Sequence, residues 1–108
     1  MVKVSILYPT GLGTHFDVEY YLNTHMPMAA ALLGPAIKAI TVEIGVPGPG
    51  PDDTPPFAAI CGFTCENAED FLKALTPVAD QLQGDIRNYT DIGPVIQFSE
   101  IRMTGPVS

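Results

Sequence analysis

Tryptophan is missing from this 108-residue chain, and basic residues are scarce: Lys3, Lys38, Lys73, Arg87 and Arg102 face twelve acids, a net charge of −7. The five cations are scattered rather than clustered. Such a balance repels phosphate backbones and anionic lipid surfaces, which excludes nucleic acid and membrane as expected partners. No apolar run approaches the ~20 residues that a membrane span requires. The opening residues, Met1 to Tyr8, have no basic region followed by a long apolar core, so they are read as a strand and the expected compartment is the cytoplasm. Cysteine is rare too. Cys61 and Cys65 are the only two, and four strand steps of ~3.3 Å set them about 13 Å apart, beyond disulfide reach. With no CxxC and no second Cys or His cluster, no metal site is expected.

Apolar residues are plentiful, at 46% of the chain, enough to build the core of one domain spanning 1–108. Val2, Val4, Ile6 and Tyr8 alternate with Lys3, Ser5 and Leu7, the signature of a first strand. Pro9 to Gly13 breaks it. Thr14-His15-Phe16-Asp17 has the spacing of a capping box and predicts a helix from about His15. Val18, Tyr21, Leu22, His25, Met28 and Leu32 then form an inward stripe, with a kink expected at Pro27 and a stop at Gly34-Pro35. Ile40, Val42, Ile44 and Val46 alternate as a second strand. Residues 47–56 carry five prolines and read as a flexible Gly/Pro connection, with a lid as the other reading. Phe57 to Thr64 is apolar on both faces and suits a central strand. Asn67 opens a second helix whose buried face is expected to hold Phe71, Leu72, Leu75, Val78, Ala79 and Leu82, with Pro77 as a kink and Gly84 as its stop. Asp85 to Pro94 reads as a turn-rich loop, Val95 to Ile101 as the last strand, and 103–108 as a tail.

The order β-α-β-β-α-β predicts an α+β, ferredoxin-like fold: a four-stranded antiparallel sheet with two helices on one face. A two-sided apolar central strand calls for a cover on the free face. A second copy in a homodimer supplies it.

His25 is the residue with the most chemistry. Imidazole titrates near neutrality, and the helical stripe turns His25 inward with Tyr21 one turn before it. Two readings stand side by side: a core histidine satisfied by a neighbouring acceptor, or a proton carrier in a pocket with Tyr21 as its catalytic companion. Tyr20, Met28, Tyr89, Asp91 and Cys61 are the candidate ligand-binding residues. Against them stand plain packing for Tyr20, Met28 and Tyr89, turn stabilisation for Asp91, and a small buried hydrophobe for Cys61. His15 reads as a solvated residue at the helix start.

The run Val2 to Pro9, the segment Phe16-Asp17 with Tyr20-Tyr21-x-x-Thr24-His25-Met26-Pro27, Leu33-Gly34-Pro35, and Asp85-Ile86-x-Asn88-Tyr89-Thr90-Asp91-Ile92 with Gln97 together resemble the EthD family, named from ethyl tert-butyl ether degradation gene clusters. The spaced Tyr-x-x-x-His-x-Pro is the most specific part. This resemblance implies a dimeric α+β barrel with a pocket between each sheet and its own helices. Barrel relatives include lactone isomerases, polyketide cyclases and monooxygenases that work without metal or flavin. Two functions follow: cofactor-free chemistry on a small apolar, aromatic or lactone substrate with His25 moving a proton, or non-catalytic ligand binding as an accessory in a degradation pathway.

Overall fold

Four strands pair in the order β2-β3-β1-β4, all antiparallel: β1 (Val2–Pro9), β2 (Ala39–Ile44), β3 (Phe57–Cys65) and β4 (Val95–Glu100). The computed structural model describes residues 1–50 and 52–106. Pro51 within the 47–56 connection, and Val107 and Ser108 at the end of the expected tail, lie outside the described residues. Among the described residues no helix is long and apolar enough to cross a membrane.

The pleat sorts the residues as their alternation predicts. In register, Phe98, Val4, Phe63 and Ile40 form one row across the sheet, and Ile96, Ile6, Cys61 and Val42 form the next. Val4, Tyr8, Ala59, Cys61, Phe63 and Cys65 are the buried members of this face, beneath the helices. The opposite face is mixed: the row Val95, Leu7 and Ile60 is apolar but ends at Glu43 on β2, and Lys3, Ser5, Gln97 and Thr41 are polar.

Helix geometry departs from the simple periodicity in three places. First, the helix does not start near His15. Asp17 is the cap, accepting from the Tyr20 N–H at 3.1 Å, and α1 runs Val18–Tyr20. Thr14 instead bonds Gly11, while Phe16 pairs with Thr90 as an isolated bridge. The competing sheet-like partner at Thr90 keeps 15–17 extended.

Second, Pro27 is absorbed by a π-helical turn, Tyr21–His25, in which the Met26 N–H reaches back to Tyr21 O before α2 (Met26–Leu33) resumes. A proline in an unbroken α-helix clashes with the carbonyl four residues back, and the wider turn moves that carbonyl away. The extra residue also shifts the buried stripe by one. After Tyr21 and His25 it passes through Met26, Ala29 and Leu33 rather than Met28 and Leu32, and Leu22 lies at the surface. Gly34, at φ 64, ends the run in a conformation that other residues rarely adopt.

Third, Gly84 does not stop the second helical run. It lies inside α4 (Ala79–Asp85), which follows α3 (Ala68–Leu75) and a 3₁₀ turn at Thr76–Val78, and a further turn at Ile86–Asn88 completes it. Asn67 caps α3, accepting from the Asp70 N–H at 2.8 Å. Asp85 therefore sits on a helix end facing α1, not in a loop.

Candidate active site

Between the apolar sheet face and the helices lies a cavity of about 430 Å³. Strand residues Val4, Ile6, Cys61 and Phe63 line its floor, and Ala29, Leu33, Phe71 and Leu75 line its roof. Tyr8, Tyr21, His25, Cys61 and Gln83 supply its polar atoms. Among the described residues no Lys, Arg, Asp or Glu lines it, so an ionised ligand would enter without a counter-charge, at a steep desolvation cost. Its size suits a small organic molecule. The mouth is apolar as well, framed by the exposed side chains of Leu72, Ile96 and Phe98.

His25 stands in the wall, only 7% exposed. The π turn that carries it brings residues four apart nearly above one another, and the rings of Tyr21 and His25 stack with planes 12° apart. Behind the imidazole, Nδ1 lies 2.9 Å from Asp85 Oδ2. Burial alone would raise the Asp85 pKa. Hydrogen bonds donated by the Tyr20 hydroxyl at 2.7 Å, by Asn88 at 2.9 Å and by His25 outweigh it and hold the carboxyl below the usual carboxylate range. An ionised carboxylate only accepts, so Nδ1 of His25 must carry a hydrogen. In the neutral ring the lone pair is then on Nε2.

Nε2 is directed toward a second set of groups. The Tyr89 hydroxyl lies 3.5 Å from it, a long contact, and 2.7 Å from the Tyr8 hydroxyl. Burial raises the pKa of Tyr8, Tyr21 and Tyr89 above the ordinary phenol value, and the bond to Tyr8 adds to the rise at Tyr89. All three are neutral hydroxyls at physiological pH. Burial pushes the Cys61 thiol up to about 11, so it is no nucleophile at neutral pH. The whole reads as a line: Asp85, His25, Tyr89, Tyr8.

The EthD domain family matches residues 10–93. The chain belongs to the EthD family. It is similar to an EthD-like protein of Ralstonia eutropha JMP134, with 44% identity, a TM-score of 0.89, and coverage of 94% of this chain and 92% of that one. A second EthD family protein, from Bacillus halodurans C-125, is 21% identical with a TM-score of 0.70 over 94% of this chain and 98% of its own. HapK of Hahella chejuensis shares the fold at 12% identity and a TM-score of 0.59, each chain covered to 98%. Among curated proteins, none matches the sequence.

Of the residues that the sequence singles out in this EthD chain, His25, Tyr21 and Cys61 line the cavity. Tyr89, fully buried, stands behind them against both His25 and Tyr8. Tyr20 does not line the cavity; its hydroxyl braces Asp85. Met28 is displaced by the π turn to the gap between helices, where its sulfur accepts from Gln81. Asp91 holds the chain entry to α1 by accepting from the His15 N–H at 3.0 Å, and that bond lowers its pKa. Two members of the constellation escaped the sequence reading. Asp85, 60 residues from His25, stands at the start of a turn-rich run and Tyr8 on the apolar face of the first strand, and neither is given a site role by the sequence although both lie in runs that resemble the EthD family. The inward alternation of β1 is the signal for Tyr8, and for Asp85 it is the run Asp85 to Ile92 that resembles the EthD family.

Proposed function

We propose that this EthD-family chain is a small cofactor-free enzyme that moves a proton on a neutral, apolar carbonyl compound, with His25 as the base. The observation that carries the reading is His25 in the wall of an apolar cavity with its Nδ1 held by ionised Asp85. The free Nε2 can take a proton from carbon, and Tyr21 and Cys61 shape the space beside it. Enclosure by apolar side chains strengthens each polar contact with the ligand. The transfer itself needs neither metal nor redox partner, since only a proton moves.

A probe for this chemistry is 2-tetralone, a neutral bicyclic ketone with an acidic C–H that fits a cavity of this size. In heavy water the protein should accelerate deuterium entry at that carbon, followed by proton NMR. Saturable binding of the ketone with exchange no faster than in buffer would instead favour the second reading, a non-catalytic ligand-binding or accessory protein of a degradation pathway. The apolar, uncharged cavity supports that reading equally as a container.

The reading includes a homodimer and a cytoplasmic location. A second copy laid on the free sheet face would cover the row Val95, Leu7 and Ile60, of which Val95 is 53% exposed in the single chain. Light scattering at micromolar concentration should return twice the 11.5 kDa chain mass; a stable monomer would refute the dimer. Cys61 and Cys65 are free, on one strand, as suits a reducing compartment.

A further inference from the structure

The polar line does not end at His25. It continues through the Tyr89 hydroxyl to the Tyr8 hydroxyl, and Tyr8 is among the residues that line the cavity while Tyr89 is not. Tyr8 lies on the strand floor and His25 on the helical wall, so a ligand at this end of the cavity meets one polar residue from the sheet and one from the helix, joined by Tyr89. We propose that Tyr8 is the residue that hydrogen-bonds the ligand's oxygen, that Tyr89 positions it, and that the ligand is a neutral, mainly apolar molecule of one or two rings carrying one carbonyl or hydroxyl oxygen.

Three observations support this assignment. The Tyr8 hydroxyl is paired with a neutral hydroxyl at 2.7 Å, which leaves it able both to donate to a ligand oxygen and to accept from Tyr89. Tyr8 is itself clamped: its ring meets Phe16 at 5.2 Å, Tyr21 at 5.7 Å and Tyr89 at 5.9 Å, each edge to face, so the donor is fixed before a ligand arrives. The remaining lining is apolar and uncharged apart from Tyr21, His25, Cys61 and Gln83, which limits the polar atoms that a ligand can satisfy.

Resting on the enzymatic reading, the same line closes a proton cycle. The C–H bond next to the carbonyl breaks and its proton passes to Nε2 of His25. The electron pair forms the C=C bond while the C=O bond becomes C–O, and the oxygen takes the Tyr8 proton. Tyr8 is reprotonated by Tyr89, and Tyr89 by the N–H of His25. The ketone becomes its enol, the protein returns to its starting state, and nothing is oxidised or reduced. Tyr8 is then a catalytic residue and Tyr89 a positioning residue.

The test uses naphthalene, 2-naphthol and 2-naphthoate as probes in equilibrium dialysis with the intact chain. One hydrogen bond in such a site is expected to make 2-naphthol bind about tenfold tighter than naphthalene, although a purely apolar cavity would prefer naphthalene. Naphthoate should bind more weakly than either. Tyr8→Phe should bring the naphthol-to-naphthalene ratio to about one while naphthalene affinity stays within about twofold. Tyr89→Phe should lower the ratio partway, an effect that a purely structural role would not have. Equal binding of the two neutral probes by the unaltered chain overturns the proposal with no variant needed. So does a Tyr8→Phe protein that keeps the preference, or naphthoate bound as tightly as naphthol. Failure of deuterium exchange with the naphthol preference intact and lost in Tyr8→Phe would remove the enzymatic reading alone, with Tyr8 still the ligand's partner.

Discussion

Replacing Asp85 with alanine should lower the unfolding free energy by about 2–4 kcal/mol, read from urea melts at neutral pH. The side chain is only 14% exposed and accepts from three donors on three elements: Tyr20 on α1, His25 in the π turn and Asn88 in the last helical turn. Removing the acceptor leaves those donors unpaired at the seam between the two helical runs. The pH dependence has a definite sign. Because the folded state depresses the Asp85 pKa, its contribution is complete above the unfolded carboxylate value of ~3.9 and is lost as pH falls through the lower folded value. The parent chain and Asp85→Ala should therefore differ most near neutrality and converge in strong acid. Matching stabilities at pH 7 would show that the carboxylate does not hold the two helical runs together.

Tyr21→Ala is expected to cost about 3–5 kcal/mol, the range for deleting a large buried aromatic. Tyr21 is 1% exposed. Its ring meets Phe16 at 4.9 Å, Tyr89 at 5.0 Å, and Tyr8 and His25 each at 5.7 Å. These contacts reach three other segments besides Tyr21's own π turn, so no single side chain can swing in to fill the gap. Tyr21→Phe keeps the ring and should cost far less. An alanine variant that melts within about 1 kcal/mol of the parent would mean that the cluster relaxes into the adjoining cavity and that Tyr21 does not set the position of His25.

Much of this arrangement was legible in the residues. Alternation in the first strand placed Val4 and Tyr8 on one sheet face, and the helical stripe carried Tyr21 and His25 to it, whereas the third strand, apolar on both faces, gave no such sorting of Cys61 and Phe63. The stripe failed after His25 for a local reason. Pro27 forces a choice between a kink and a widened turn, and the π turn inserts one residue, which moves burial from Met28 and Leu32 to Ala29 and Leu33. A periodicity argument with a fixed 3.6-residue step has no way to see that insertion. The helix start failed through competition: Thr14 looked like a cap, but Thr90 and Asp91 hold 15–17 extended and pass the role to Asp17. Asp85 opens a run that resembles the EthD family, but its role is not legible there, because it lies in contacts to residues 60 and 65 positions away.

The division of labour among the site residues follows from these contacts. Tyr21 packs, Asp85 fixes the imidazole, and Tyr89 joins it to Tyr8 at the cavity floor. Met28 and Asp91, both singled out by the sequence, serve the scaffold: one fills between helices, the other pins the entry to α1.

The most direct test of His25 as a base is the rate of deuterium entry into 2-tetralone with the parent chain and with His25→Ala, both checked for folding by near-ultraviolet circular dichroism. The protein-dependent rate should fall by about 10²–10⁴-fold in the variant, the usual worth of a positioned general base. A folded His25→Ala protein that exchanges the ketone at the parent rate would contradict the assignment of His25 as the base.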